Sequence, residues 1–332
     1  MDIKINLSTA DRLKLGLLKK SWRLSGIMNI EVQATLNNKR FIVPIDHRFG
    51  FWFVDNDYLK SRFLDIAAIL AVTLGHRKGT VIDIGTNIGL FLYLVTAFDK
   101  SRRYIGFEPN ILAAAYLQRF IDRNKLQNHN VIPMGLSDQT AVLDLMLSYE
   151  VDVSATVIPN IRTKDQYSFS RKVLVNTGDS VLPRLLEDSE DIALVKIDVE
   201  GAEKEVLSGL EATVNRYRPV IIFEVLPSSD DAMQDYVRHH TSMSEAEIAT
   251  AKEERSAKTA AVQQFFERKD YVFYKMHQTG RLTARKSLFE ERLGNKLESN
   301  FLAVPGDLKQ HYAKLANQGS FIESRKVSSS VA

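Results

Sequence analysis

Apolar residues along the chain fall into three kinds of run. Short and nearly unbroken runs occur at Val81 to Ile84, Tyr104 to Phe107, Val131 to Met134, Ala193 to Ile197 and Pro219 to Val225. Such runs predict parallel strands covered on both faces. Alternating runs come next. Val32, Ala34 and Leu36 alternate with polar neighbours, and Phe41 and Val43 resume the alternation after Asn37-Asn38-Lys39, which predicts a hairpin. Ala141 to Leu147 alternates as a further strand, and Val173 to Asn176 is a short one. Helical spacing is the third kind. Tyr58 to Leu74 carries Leu59, Phe63, Ile66 and Leu70 on one face, and Pro109-Asn110 opens a helix whose expected stripe is Leu112, Ala115, Phe120 and Ile121. Thr177-Gly178-Asp179-Ser180 caps another, with Leu182, Leu185 and Leu186. Strands alternating with helices predict an α/β fold.

The flanks read differently. Residues 1–30 predict one or two helices of mixed polarity, with a basic amphipathic stretch from Asp11 to Arg23. Ser228 to Lys269 is charged, alanine-rich and helical, with Ser242-x-x-Glu245 as a capping box, so it predicts an insertion or lid. Adjacent His239 and His240 cannot share a helix face and are expected at the surface. Tyr271 to Met276 and Asn300 to Val304 are β-rich and close the sheet, and the serine-rich tail after Asn317 is expected to be disordered.

Composition narrows the function classes. The 332 residues are 45% hydrophobic, which supports a full core. A net charge of +3 with no Lys/Arg block argues against nucleic acid. The absence of cysteine excludes disulfides, thiolate metal sites and cysteine nucleophiles. Met1-Asp2-Ile3-Lys4 lacks a signal peptide's apolar core, and the longest apolar run, Ile66 to Leu74, is far short of the ~20 residues of a membrane span. A soluble, cytoplasmic protein is expected.

Two stretches carry chemistry. In the first, a strand breaks at Gly85, turns through Thr86 and Asn87, and enters an apolar helix at Gly89, while the next strand ends in Glu108. An acid about 20 residues beyond a glycine-rich strand–turn–helix is a ribose-binding signature. A dinucleotide site wants a glycine where Asn87 stands, to admit a pyrophosphate. The Gly85-x-x-x-Gly89 spacing, with Asp83 before it, therefore points to a nucleoside without a pyrophosphate, such as S-adenosylmethionine. After the third strand, Ser137 and Asp138 either meet the adenine or form an Asx-turn. The second stretch is Lys196-Ile197-Asp198-Val199-Glu200-Gly201-Ala202-Glu203, a buried strand ending in three alternating charges. Charges at a strand's carboxyl end are costly unless paired or working. Asp198 is the sharpest candidate, while Glu200 and Glu203 also suit a helix start. His47, Arg48, Trp52 and Tyr58 either line an acceptor cleft or serve a plainer purpose, with Trp52 and Tyr58 packing the lip and His47 solvated.

These residues resemble the FkbM-type methyltransferases. The matches are Asp83-Ile84-Gly85-Thr86-Asn87-Ile88-Gly89, Gly106-Phe107-Glu108-Pro109 and, most specifically, Lys196 to Glu203. The Phe41-Ile42-Val43-Pro44-Ile45 segment is also similar. The resemblance covers Lys39 to Glu224 and, more loosely, Phe265 to Pro305. It departs at Thr86, where alanine is usual, and at Gly178, where leucine often stands.

The resemblance implies a doubly wound, mostly parallel, Rossmann-like sheet of seven strands, one of them antiparallel. It divides the chain into an N-terminal lip (1–75), a methyltransferase domain (76–305, with the insertion at 228–269) and a tail (306–332). It implies methyl transfer from S-adenosylmethionine to an oxygen, often a sugar hydroxyl of a glycan or glycosylated metabolite. Asp83, Gly85, Asn87 and Gly89 would line the methionine portion, Glu108 the ribose, and Ser137 and Asp138 the adenine, with Thr86 and Pro109 also among the cofactor-binding residues. Asp198 would face the methyl group and act as base, with Glu200 or His47 as alternatives and Lys196 holding the carboxylate or a substrate oxygen. A divalent metal clasped by Asp198 and a neighbouring acid would show as activity lost in chelator and restored by magnesium. Two rival classes stay open. A nicotinamide-dependent oxidoreductase is disfavoured by Asn87, and a non-catalytic binding protein by the intact Glu108 and Asp198. The acceptor's identity and a homo-oligomeric state are not legible.

Overall fold

The computed structural model describes residues 4–20, 30–45, 48–152, 154–158, 167–225, 244–289 and 299–317. His47, His239, His240, the Ser242 end of the capping box, residues 228–243 of the expected insertion and the tail beyond Asn317 lie outside these residues.

The chain opens with β1 (Ile5–Leu7) and α1 (Thr9–Lys20), followed by the hairpin β2 (Glu31–Leu36) and β3 (Lys39–Pro44). Asn37 and Asn38 make the turn at φ of 49° and 61°, where asparagine is tolerated. β1 departs from the purely helical expectation for this region. Three residues show no period, and the strand exists because it pairs antiparallel with β2, Ile5 opposite Leu36. Helix α2 (Asn56–His76) is capped by Asp55, whose carboxylate accepts from the N–H groups of Asp57 and Tyr58.

Strand and helix then alternate through β4 (Thr80–Ile84), α3 (Leu90–Phe98), β5 (Tyr104–Phe107), α4 (Ile111–Arg123) and β6 (His129–Ile132). β7 (Gly135–Leu136), β8 (Ala141–Leu147) and β9 (Phe169–Asn176) follow, with the last two paired antiparallel. These three form a separate small sheet in the order β7-β9-β8. Beyond them come β10 (Ile192–Ile197), α5 (Glu203–Ser208), α6 (Glu211–Tyr217), β11 (Val220–Glu224) and α7 (Glu245–Glu267). The described chain ends with β12 (Tyr271–Met276), β13 (Leu282–Arg285), β14 (Asn300–Pro305) and α8 (Lys309–Asn317).

The main sheet has eight strands in the order β13-β12-β14-β11-β10-β4-β5-β6. Neighbours from β11 to β6 are parallel. Every residue of β4, β5 and β10 is buried, as a strand covered on both faces requires. The expected seven strands with one antiparallel are present from β12 to β6, and the sheet is extended by one strand more. β14 runs antiparallel between β11 and β12, and β13 adds an eighth, antiparallel strand as the hairpin partner of β12. Leu282-Thr283-Ala284-Arg285 is too short and too polar to announce itself.

One face of the sheet is covered by α2, α3, α4 and the hairpin, the other by α5, α6 and α7. The expected α4 stripe is out of phase. Leu112 and Ala115 are exposed, while Ala113, Ala114, Tyr116 and Leu117 join Phe120 and Ile121 inside. The hairpin is tied down by polar contacts as well as by apolar packing. Asn124 pairs with the main chain of Ile42, accepting at 2.7 Å and donating at 2.8 Å, and Lys39 donates to the carbonyls of Thr96 and Phe98 at the end of α3. Among the described residues no helix is long and apolar enough to cross a membrane.

Candidate active site

Strand register sets the site. Ile84 of β4 lies opposite Phe107 of β5 and Ile197 of β10. The next residue of each strand, Gly85, Glu108 and Asp198, therefore leaves the sheet at one edge. That is the carboxyl edge, where open α/β sheets bind ligands. The Gly85 and Asp198 turns touch. Asp198 donates its N–H to the Ile84 carbonyl at 3.0 Å, and a Cβ on Gly85 would come 1.9 Å from the Asp198 carbonyl oxygen. Gly85 also sits at φ +80°, a region that suits glycine.

Asn87, at φ 48°, donates its N–H to one Glu108 oxygen at 2.7 Å, and Asn110 donates its N–H to the other at 2.8 Å. Glu108 is only 6% exposed. Burial pushes its carboxyl up to about 7, against the pull of the Asn110 and Asn87 N–H groups. The Asn87 amide donates to the Asp152 carbonyl at 3.1 Å, which joins the first turn to the loop after β8.

Above these turns lies a cleft of about 680 Å³, part of it open to solvent. Gly85, Asn87, Glu108, Pro109, Asp198 and Glu200 all line it. Leu136, Leu145, Val157 and Val175 give it apolar walls from the small sheet and its loop. The other candidates stand outside the wall. Thr86 is buried, its methyl over the space that Gly106 leaves by lacking a Cβ. Gly89 caps α3 at φ 89° and packs against Leu117. The wall stops at Leu136, just before Ser137, which is buried and donates to the exposed Asp138 at 3.2 Å. Asp83 and Lys196 lie beneath the floor. Lys196 Nζ is 2.9 Å from Asp198 Oδ2 and 3.6 Å from Asp83 Oδ1, and it sits over the Phe91 ring. Burial works against the Lys196 charge, but Asp198 and Asp83 outweigh it and hold the ammonium above its ordinary pKa. Burial raises Asp83, opposed by Lys196 and by the Tyr104 hydroxyl that it accepts at 2.5 Å.

Two elements pin the backbone after Asp198. Thr156 donates to the Glu200 carbonyl and Lys258 of α7 to the Gly201 carbonyl, at 2.8 and 2.9 Å. Glu200 and Gly201 both have positive φ, so the turn is tight. Glu203 is buried behind it, and burial, with Glu224 adding, pushes its carboxyl up to about 8. Oxygens of Asp198, Glu200 and Glu224 lie within 4.8 Å of one another, and the Ser299 hydroxyl donates to Glu224. Carboxylates in this arrangement do not by themselves assign a cation.

At the lip, Trp52 and Tyr58 stack with ring centroids 4.6 Å apart. Burial pushes the Tyr58 phenol up to about 12; Arg62 opposes the shift, and Asp198 and Tyr149 add to it. His47 lies outside the described residues, and so does the side chain of Arg48.

Sequence reasoning missed Tyr104, Asp152, Thr156 and Lys258. Only Asp152 left a signal. Its carboxylate accepts the N–H and hydroxyl of Ser154, a local turn that the Asp-x-Ser spacing announces.

The arrangement fits an adenosyl group. Apolar walls suit a flat base, the Glu108 carboxylate suits a ribose diol, and Asp198 suits a neighbouring cation. Comparison with known proteins agrees in kind. The family model for the methyltransferase FkbM domain matches residues 83–273. Methyltransferase sdnD of Sordaria araneosa is 29% identical over 156 residues, covering 40% of this chain and 60% of that protein. Methyltransferase 1 of Beauveria bassiana (strain ARSEF 2860) is 27% identical over 145 residues, covering 40% and 58%. The chain thus spans about 60% of the length of these curated relatives. Among solved structures, methyltransferase FkbM from Methylobacillus flagellatus KT aligns with a TM-score of 0.37 at 17% identity, over 68% of this chain and 43% of that one. The plantazolicin methyltransferase BpumL in complex with SAH aligns with a TM-score of 0.39 at 11% identity, over 89% and 98%.

Proposed function

The chain belongs to the FkbM methyltransferase family, and from that premise we propose that it is an S-adenosylmethionine-dependent O-methyltransferase acting on a hydroxyl, with a sugar of a glycan or glycosylated metabolite as acceptor. The observation that carries the reading is the meeting of Glu108 and Asp198 on one cleft, with the Gly85 turn in contact with the Asp198 backbone.

Gly85, Asn87, Glu108 and Pro109 would hold the adenosyl donor, Glu108 through the ribose hydroxyls. The bound donor supplies a methyl group already activated on a sulfonium. An alcohol must lose its proton as it becomes an ether, and Asp198 receives that proton. The pinned turn beyond Asp198 holds this carboxylate at the cleft while the acceptor is oriented, and orientation is most of what such a transfer asks of a protein. Lys196 fixes the Asp198 carboxylate from below. Trp52 and Tyr58 stand outside the lining of the cleft, half-buried against the core, and their stacked pair is the candidate platform for a sugar's apolar face.

The test is incubation with isotopically labelled methyl donor and a panel of hydroxylated glycosides, read by mass spectrometry. Label should appear on a hydroxyl oxygen. Asp198→Asn should lower turnover by at least ~100-fold while S-adenosylhomocysteine affinity stays within a few fold. Full turnover in that variant would remove Asp198 from the chemistry.

A further inference from the structure

Asp83 stands one layer below the cleft, outside its wall, yet it is a fully buried carboxylate. Burying such a group is costly unless it is paired or used. Its two oxygens differ. Oδ2 accepts the Tyr104 hydroxyl at 2.5 Å, whereas Oδ1 faces the Lys196 ammonium at 3.6 Å, beyond ordinary hydrogen-bond length. The same ammonium donates to Asp198 Oδ2 at 2.9 Å. One buried cation is therefore held between a sealed carboxylate and a carboxylate at the rim. We propose that Asp83 is a positioning residue that draws part of the Lys196 charge away from Asp198, leaving Asp198 able to accept the acceptor's proton, and that Tyr104 keeps Asp83 ionised for this purpose.

The physical argument has two parts of the same sign. A carboxylate with exclusive use of an ammonium is a weaker base, and a like charge nearby makes it a stronger one. Asp83 supplies the like charge and prevents exclusive use. Other acids also face the trio and act on Asp198 with the same sign. Glu224 faces Lys196, and Glu108 faces both Asp83 and Lys196. Glu200, Glu203, Glu224 and the Tyr58 phenol face Asp198, with Arg62 and Tyr149 beyond Tyr58. Among the described residues, Asp83 is the carboxylate ion-paired with Lys196 besides Asp198, and its side chain is held by a hydroxyl on the neighbouring strand.

The inference rests on the reading of Asp198 as proton acceptor, so its test does not depend on turnover. Protein labelled with ¹³C at the aspartate carboxyl carbon is titrated by NMR, and Asp198→Asn identifies the Asp198 resonance. Asp83→Asn should lower the Asp198 midpoint by roughly one pH unit, Tyr104→Phe should lower it by less, and Lys196→Met should raise it by about 1–3 units. If Asp83→Asn does not fold, Tyr104→Phe carries the test with the same sign. A midpoint that rises in the Asp83 or Tyr104 variant, or stays within roughly 0.2 unit of the wild-type value, overturns the proposal. Failure of the base assignment is separate: it would show as full turnover in Asp198→Asn with the midpoint shifts intact.

Discussion

Acidification should release the adenosyl ligand, and Glu108 should be the reason. The carboxyl is buried, its pKa is pushed up to about 7, and it holds two backbone N–H groups while facing the cleft. In the proposed reading the ribose hydroxyls donate to this carboxyl, which accepts more strongly when ionised. Below about 7 the free protein must give up a proton to offer the ionised form, at about 1.36 kcal/mol per pH unit. Between pH 8 and pH 6 the dissociation constant for S-adenosylhomocysteine should rise roughly tenfold. The folding linkage has the opposite sign. The folded pKa lies above the unfolded value, so the native state holds a proton that the unfolded chain has lost between about 4.5 and about 7. The contribution of Glu108 to unliganded stability therefore falls as pH rises through that window. Calorimetry at pH 6, 7 and 8, in two buffers of different ionisation enthalpy, reads both the affinity and the proton released. Glu108→Gln should bind more weakly and lose the slope. Glu203→Gln should keep it, because Glu203 does not line the cleft. A flat wild-type profile, or an unchanged slope in Glu108→Gln, would refute the reasoning.

Two further substitutions probe the frame. Gly85→Ala would set a methyl 1.9 Å from the Asp198 carbonyl oxygen at φ +80°, so we expect a loss of about 2 kcal/mol or more in chemical denaturation; an unchanged midpoint contradicts the contact. Trp52→Ala removes the stack on Tyr58 at the lip, so the acceptor KM should rise about 2–10-fold while S-adenosylhomocysteine affinity holds, and equal losses in both would place Trp52 in structure alone.

The inner strands were legible because burial on both faces leaves a residue-level mark. Val81, Ile82 and Ile84, or Ala193 to Ile197, can hardly be anything else once glycine and charge bound them. Gly85, Glu108 and Asp198 were legible for a related reason, since each is the first residue that leaves a buried strand. What the sequence hid depends on distant partners. β13 exists as a hairpin partner of β12, and β1 as a partner of β2. The α4 stripe slipped because Leu112 looks buried by type, while Ala113 and Ala114 are buried by position. Tyr104 read as one more core aromatic, and only the register that sets Tyr104 beside Val81 and Gly106 beside Asp83 reveals its hydroxyl as a donor to that carboxylate. Leu145, Val157 and Val175 became cleft wall only when the small sheet folded over the carboxyl edge.

A crystal structure with S-adenosylhomocysteine tests the central claim most directly. The account predicts the ribose diol on Glu108, the base among the apolar side chains of the small sheet, and the sulfur end at the junction of the Gly85 and Asp198 turns. A ligand seated elsewhere, or one that leaves Glu108 untouched, would contradict it.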